Sequence, residues 1–105
     1  MTARDAKGFL LVTMDCPPAF EDEFNAWYDT EHVPERCAVP GFETGLRFVC
    51  LDGYPRYLAI YDLTRPDVLD SEAYRKVSLE RSSPWTKRVT SRVRVWRSAG
   101  LQVYP

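Results

Sequence analysis

The sequence predicts an α+β fold of order βαββαβ, in which a four-stranded antiparallel sheet carries its helices on one face. Three observations point to it. Four short runs rich in branched and aromatic residues alternate with two longer segments bearing helix-type spacing and helix-start signals. A turn signal, Asp52-Gly53-Tyr54-Pro55, joins the middle two strands directly as a hairpin. The strand runs are apolar on both faces, so helices on one side leave an apolar face uncovered.

Gly8–Asp15 (GFLLVTMD) is nearly continuous in apolar residues, as suits a strand covered on both sides. Pro17-Pro18 opens a helix, where a missing N–H costs little, and Glu21, Asp22 and Glu23 place negative charge at the positive end of its dipole. That helix runs to His32. Val33 precedes Pro34 and is biased away from helical angles, so a kink or break is expected, with a further turn to Ala38 before Pro40-Gly41. Residues 42–51 form the second strand, with Phe42, Thr44, Leu46, Phe48 and Cys50 on one face and Glu43, Gly45, Arg47, Val49 and Leu51 on the other. Residues 56–63 form the third, with Tyr57, Ala59 and Tyr61 opposite Leu58 and Ile60. A second helix covers 66–81, bent near Asp70-Ser71, and Ser83-Pro84-Trp85-Thr86 caps a fresh start with proline at the first helical position. Residues 91–97 alternate as the fourth strand. The chain is thus read as a single domain over 1–105, with a core over 8–97 and a tail over 98–105 carrying Leu101, Val103 and Tyr104. A second copy of the same sheet is the simplest cover for the open face, giving a two-fold homodimer whose tail crosses to the other subunit.

Composition narrows the function. Hydrophobic residues make up 45% and charged residues 28%, the balance of a soluble globular domain. Net charge is −1 with basic and acidic residues interspersed, which excludes a nucleic-acid surface. No apolar run is long enough for a bilayer and no charged start leads into a signal segment, so a cytoplasmic protein is expected. Three cysteines, Cys16, Cys37 and Cys50, lack paired metal-ligand spacing and read as reduced thiols, with Cys37 and Cys50 as small buried side chains. No glycine-rich phosphate loop, nucleophile elbow or zinc spacing is present, and neither a metal nor a cofactor is expected.

The chemistry concentrates in residues 27–36, WYDTEHVPER, which hold the only histidine. With Phe20 at zero and about 100° per residue, Phe24 falls at about 40°, Trp27 at about 340° and Glu31 at about 20°, so an acid lies within the apolar stripe. His32 falls at about 120°, on the edge of that stripe, and Asp29 at about 180°, facing water. His32 is the candidate proton carrier, and Glu31 its orienting carboxylate or a second base; the bland alternatives are a structural histidine and an internal ion pair of Glu31 with Arg47, Arg92 or Arg94. Tyr57, Tyr61 and Arg47 are candidates to hold a substrate oxygen, against packing tyrosines and an Arg47–Glu43 pair. Trp27, Tyr28 and Trp85 supply an aromatic wall or simply core; Glu35 and Arg36 read as surface charges.

The helix pattern W-Y-D-T-E-H-x-P-E-R, then V-P-G-F into a strand, a hairpin, and S-P-W-T before the last strand, resembles the dimeric α+β barrel superfamily of ferredoxin-like proteins, and within it the EthD-like small bacterial proteins. The likeness spans residues 8–97. It implies a ligand cavity between sheet and helices, rimmed by the first helix, and matches Trp27, Tyr28, Glu31 and His32 to the helix motif without assigning their roles. Relatives in that superfamily include cofactor-independent monooxygenases, cyclases, isomerases, haem-binding enzymes and proteins without known activity.

The resulting expectation is a cofactor-independent isomerase, cyclase, lyase or monooxygenase of bacterial catabolism or secondary metabolism. It would perform proton transfer on a small apolar or aromatic carbonyl, phenol or carboxylate compound. A non-catalytic ligand-binding or accessory protein is the alternative, and a haem-binding dimer with His32 as ligand the third.

Overall fold

The computed structural model describes residues 6–105; residues 1–5 of the expected 1–105 domain lie outside the described residues. Its elements run β1 (Gly8–Asp15), α1 (Glu21–Trp27), a π turn (Tyr28–His32), α2 (Val33–Cys37), β2 (Phe42–Val49), β3 (Tyr57–Leu63), α3 (Glu72–Arg75), α4 (Pro84–Thr90) and β4 (Arg94–Leu101). The strands form one antiparallel sheet in the order β2-β3-β1-β4, with the helices on one side. This is the predicted α+β order.

Alternation decides which face is covered. Leu10, Val12 and Met14 of β1 and Tyr57, Ala59, Tyr61 and Leu63 of β3 are buried against Phe24, Trp27, Tyr28 and Val89 from the helices. Each such large side chain removed from water contributes about 1.5–3 kcal/mol. The intervening residues point to the open face, where Leu11, Leu58 and Ile60 are half-covered and Leu46, Phe48 and Trp96 are exposed. Register places Leu46 beside Ile60, Ile60 beside Leu11 and Phe48 beside Leu58, so the open apolar face is continuous across the sheet.

The first helical segment does not break at Pro34; it absorbs the proline in the π turn. Pro34 has no N–H to give, and the N–H of Val33 reaches the carbonyl of Tyr28, five residues back. Beyond it, Ala38 N–H bonds the Pro34 carbonyl at 3.1 Å, and Gly41, at φ +100°, turns the chain into β2. The second helical region is more fragmented than expected. Pro66–Asp70 and Leu79–Arg81 are single 3₁₀ turns flanking the one-turn α3, and only α4 is a regular helix, capped by Ser83 as its sequence predicts.

Two strand readings are corrected. A bulge between Phe42 and Thr44 places Phe42 opposite Leu63, so Phe42 joins Gly45 and Arg47 on the helix side rather than Leu46 and Phe48. The fourth strand begins at Arg94 and runs to Leu101, taking in half of the expected tail, because Leu10 and Gly8 of β1 pair with Ala99 and Leu101. Gly45 lets α2 come down on β2: a Cβ there would lie 2.8 Å from Cys37 Sγ and 3.1 Å from the Tyr61 ring.

Candidate functional site

The π turn decides where the histidine points. A turn that closes on the fifth residue advances less than about 100° per residue, which swings His32 from the edge of the stripe back in line with Tyr28. Tyr28, His32 and Arg36 then share the buried face at four-residue spacing. The imidazole is 6% exposed, stacked on Trp27 with ring centres 4.3 Å apart and edge-on to Tyr28 at 5.1 Å. Its Nδ1 has no hydrogen-bond partner among the described residues. Burial, then the positive charges of Arg36 and Arg47, push its pKa down to about 3, so it is a neutral imidazole at pH 7.

Two more polar atoms share that condition. The hydroxyls of Tyr28 and Tyr61 are buried, each residue 1% exposed, and neither makes a hydrogen bond of good geometry. They influence each other's ionisation, which places them as neighbours across the gap between helix and β3. Burial raises both, Tyr28 to about 12 and Tyr61 well above the ordinary phenol value. Both are therefore hydrogen-bond donors rather than phenolates.

Glu31 lies elsewhere. Its Oε2 accepts from Ser83 Oγ at 2.7 Å and Thr86 Oγ1 at 3.1 Å, and Thr86 Oγ1 in turn accepts from Trp27 Nε1 at 3.1 Å. Ser83 Oγ also caps α4 by accepting from Thr86 N–H at 3.0 Å. The W-x-x-x-E of the first helical segment and the S-P-W-T of α4 are thus two halves of one interhelical lock. This corrects the expectation that Glu31 orients His32, and among the described residues no arginine forms an ion pair with Glu31.

Arg47 closes the site on the outer side. Its guanidinium lies 4.3 Å over the Tyr28 ring and donates to Asp29 Oδ1 at 2.7 Å and Asn25 Oδ1 at 2.8 Å, not to Glu43, which pairs with Lys7. Asn25 Nδ2 donates to the Tyr57 hydroxyl at 3.2 Å, and that hydroxyl donates to Glu21, which also holds Arg56. Tyr57 is therefore tied to the outer rim, while Tyr61 points inward. Asn25, Arg47, Phe48, Val49 and Tyr57 line a shallow depression of about 230 Å³ directly outside Arg47.

No protein-family model matches the sequence, and no curated protein matches it. Solved structures do. SnoaB, a cofactor-independent oxygenase from Streptomyces nogalater, superposes with a TM-score of 0.63 at 17% identity, covering 96% of each chain. Rv0793 from Mycobacterium tuberculosis gives 0.72 at 14% identity over 95% of this chain and 98% of its own. A dimeric ferredoxin-like protein from an uncultured marine organism gives 0.68 at 11% identity over 95% and 98%. The chain shares the ferredoxin-like α+β fold of these structures. The narrower EthD-like resemblance rests on the sequence motifs alone.

On this ferredoxin-like frame, the helix motif brings Tyr28 and His32 together, with Trp27 as the wall behind the imidazole, Arg47 over Tyr28, and Tyr61 of β3 as the neighbour of Tyr28. Trp85 packs partly buried against the core, and Tyr57 and Glu31 are engaged at the periphery. Arg36, read from sequence as a surface charge, is buried, its Nη1 donating to the Val77 carbonyl at 2.5 Å. The sequence signal for it was its spacing, four residues after His32 and eight after Tyr28. All three cysteines are free; Cys37 is exposed rather than buried, and Cys16 is the buried one. Among the described residues no three of His, Cys, Asp and Glu gather at metal-ligating spacing, and no helix is long and apolar enough to cross a membrane.

Proposed function

We propose that the protein is a cytoplasmic enzyme that moves a proton on a small apolar or aromatic compound bearing a carbonyl, phenol or carboxylate. The reaction takes place between the first helix and the sheet. One observation carries the reading: His32 Nδ1 is buried without a partner among the described residues, and the buried Tyr28 and Tyr61 hydroxyls have only each other nearby, with no well-formed hydrogen bond between them. Native interiors pair such groups fully, and these under-satisfied donors and acceptor, linked through Tyr28, match the requirements of a bound oxygen and a transferable proton.

His32 takes the proton from a C–H or O–H of the substrate, its basicity, which burial holds low in the free protein, being raised by the negative charge that develops beside it. The electron pair it leaves becomes an enolate or phenolate, whose oxygen accepts from the Tyr28 and Tyr61 hydroxyls. Return of the proton to another atom completes an isomerisation or cyclisation, and the enolate is also the species that precedes reaction with oxygen. Trp27 fixes the imidazole plane. Arg47, hinged between Asp29 and Asn25, covers the access from the outer depression, where Tyr57 and Trp85 act as packing and rim. Glu31 holds the helix in place instead of carrying a proton. The likeness to SnoaB, itself a cofactor-independent oxygenase, supports chemistry that these side chains perform without a bound cofactor. The same reading includes a homodimer formed through the open sheet face, which removes Leu46, Phe48 and Trp96 from water.

Deuterium exchange tests the proton transfer without knowledge of the natural substrate. In D₂O the protein is expected to accelerate incorporation of deuterium beside the carbonyl of 2-tetralone. His32→Gln should lower that rate by about 100-fold or more, while Glu31→Gln leaves it nearly unchanged. Exchange at the buffer rate, or a His32→Gln variant as active as wild type, rejects the reading.

A further inference from the structure

The outer depression beside β2 holds a positive charge whose partner is replaceable. The Arg47 side chain is 17% exposed, with its guanidinium 4.3 Å over the Tyr28 ring and 5.5 Å from the Tyr57 ring. Two acceptors meet it, and they are held differently. Asn25 is fixed from both sides: its Oδ1 accepts from Arg47 Nη2 at 2.8 Å, and its Nδ2 donates to the Tyr57 hydroxyl, itself bound to Glu21. Asp29 is 64% exposed and, among the described residues, is held by Arg47 Nη1 alone. So exposed a partner contributes little, and another oxyanion can take its place at small cost. Glu21, the other carboxylate on this rim, is engaged by Arg56 and Tyr57. The cavity suits the rest of such a ligand. It measures about 230 Å³, against about 150 Å³ for a protein cavity that takes up benzene. Phe48, Val49 and Tyr57 line it, and Phe48 and Val49 are exposed, leaving apolar surface for a bound ring to cover.

We propose that this depression binds a small aromatic carboxylate, whose oxygens replace Asp29 on Arg47 while its ring lies against Phe48 and Val49. Guanidinium and carboxylate match as a planar two-pronged pair, and stacking on Tyr28 fixes the guanidinium plane in advance. Asp29 thus occupies the position in the free protein and competes with the ligand. The site goes beyond the proton-transfer reading and does not rest on it. Phe48 also belongs to the open sheet face, on the edge strand β2, so in the homodimer proposed above the site lies at the margin of the interface.

Benzoate and its neutral counterpart benzamide, titrated into isotope-labelled protein and followed by NMR through the side-chain signals of Arg47 and Asn25, test the proposal. Benzoate is expected to shift both signals and to bind about 10-fold more tightly than benzamide. Asp29→Asn removes the competitor and should tighten benzoate about 2- to 5-fold while leaving benzamide unchanged. Asp67→Asn is the control for net charge. Asp67 is equally exposed and equally paired, to Arg65, but follows the far end of β3 from Tyr57, so its loss should change neither affinity. Arg47→Met should abolish the preference for benzoate. Should that variant not fold, the comparison of Asp29→Asn with Asp67→Asn decides the matter. Equal affinities for the two probes, equal effects of the two aspartate variants, or benzoate shifts that spare Arg47 and Asn25 overturn the proposal. Failure of benzoate to bind overturns it as well.

Discussion

Between pH 7 and pH 5 the protein is expected to lose about 2 kcal/mol of stability through a single proton on His32. In the folded chain its pKa is pushed down to about 3 by burial and by Arg36 and Arg47, against an ordinary value of 6.5. The unfolded chain therefore binds the proton that the folded one refuses. Stability is at its full value above the unfolded pKa and falls as pH drops towards the folded one, by about 1.4 kcal/mol per pH unit. Glu21, Glu23 and Glu72, whose carboxyls are held low by their hydrogen-bond partners, lose their contribution only further down. Glu35, pushed up by burial, acts in the opposite direction near the acidic end. Urea unfolding at pH 7, 6 and 5 checks this: the wild-type curve should slope and that of His32→Gln should be nearly flat. Parallel curves would mean that the imidazole is not buried neutral.

The second large effect concerns the open face. Ile60 sits at its centre, with Leu46 on one side and Leu11 on the other. Ile60→Asp is expected to convert a dimer to a folded monomer. In a two-fold interface the substitution occurs twice, and at roughly 3 kcal/mol for each unpaired buried charge the dissociation constant rises by roughly ten-thousand-fold. The helix side of the sheet is untouched, so circular dichroism should remain that of a folded α+β protein. Sedimentation of wild type and variant at micromolar concentration reads the outcome. A wild type that sediments as a monomer, or a variant that stays dimeric, contradicts assembly through this face.

The fold was legible because its cues were local. The strand runs and the hairpin turn were local signals, and Ser83-Pro84 marked the start of α4, but β1 and β3 are apolar on both faces, so which face the helices cover was not legible. The errors fell where one residue of slippage changes everything. The bulge after Phe42 moved that ring to the opposite face from the one its spacing indicated, and no turn or glycine signal marks it. The π turn did the same to the helix. At uniform α-helical pitch Glu31 takes the centre of the stripe and His32 its edge; the structure exchanges them, because Pro34 removes an N–H and the chain inserts a residue to compensate. His32 therefore turns towards Tyr28, and Glu31 away to Ser83 and Thr86, which the uniform pitch could not show. Arg36 was missed because charge beyond a proline reads as solvated, whereas here the aliphatic stem and guanidinium continue the buried row.

The most direct measurement is a crystal structure of the protein soaked with 1-naphthol. The account predicts a naphthol oxygen within about 2.6–3.2 Å of the Tyr28 and Tyr61 hydroxyls and His32 Nδ1 within reach of its proton, with the Arg47 side chain displaced from over Tyr28. Naphthol bound only in the outer depression, with Tyr28, His32 and Tyr61 packed against one another as a closed core, would contradict it.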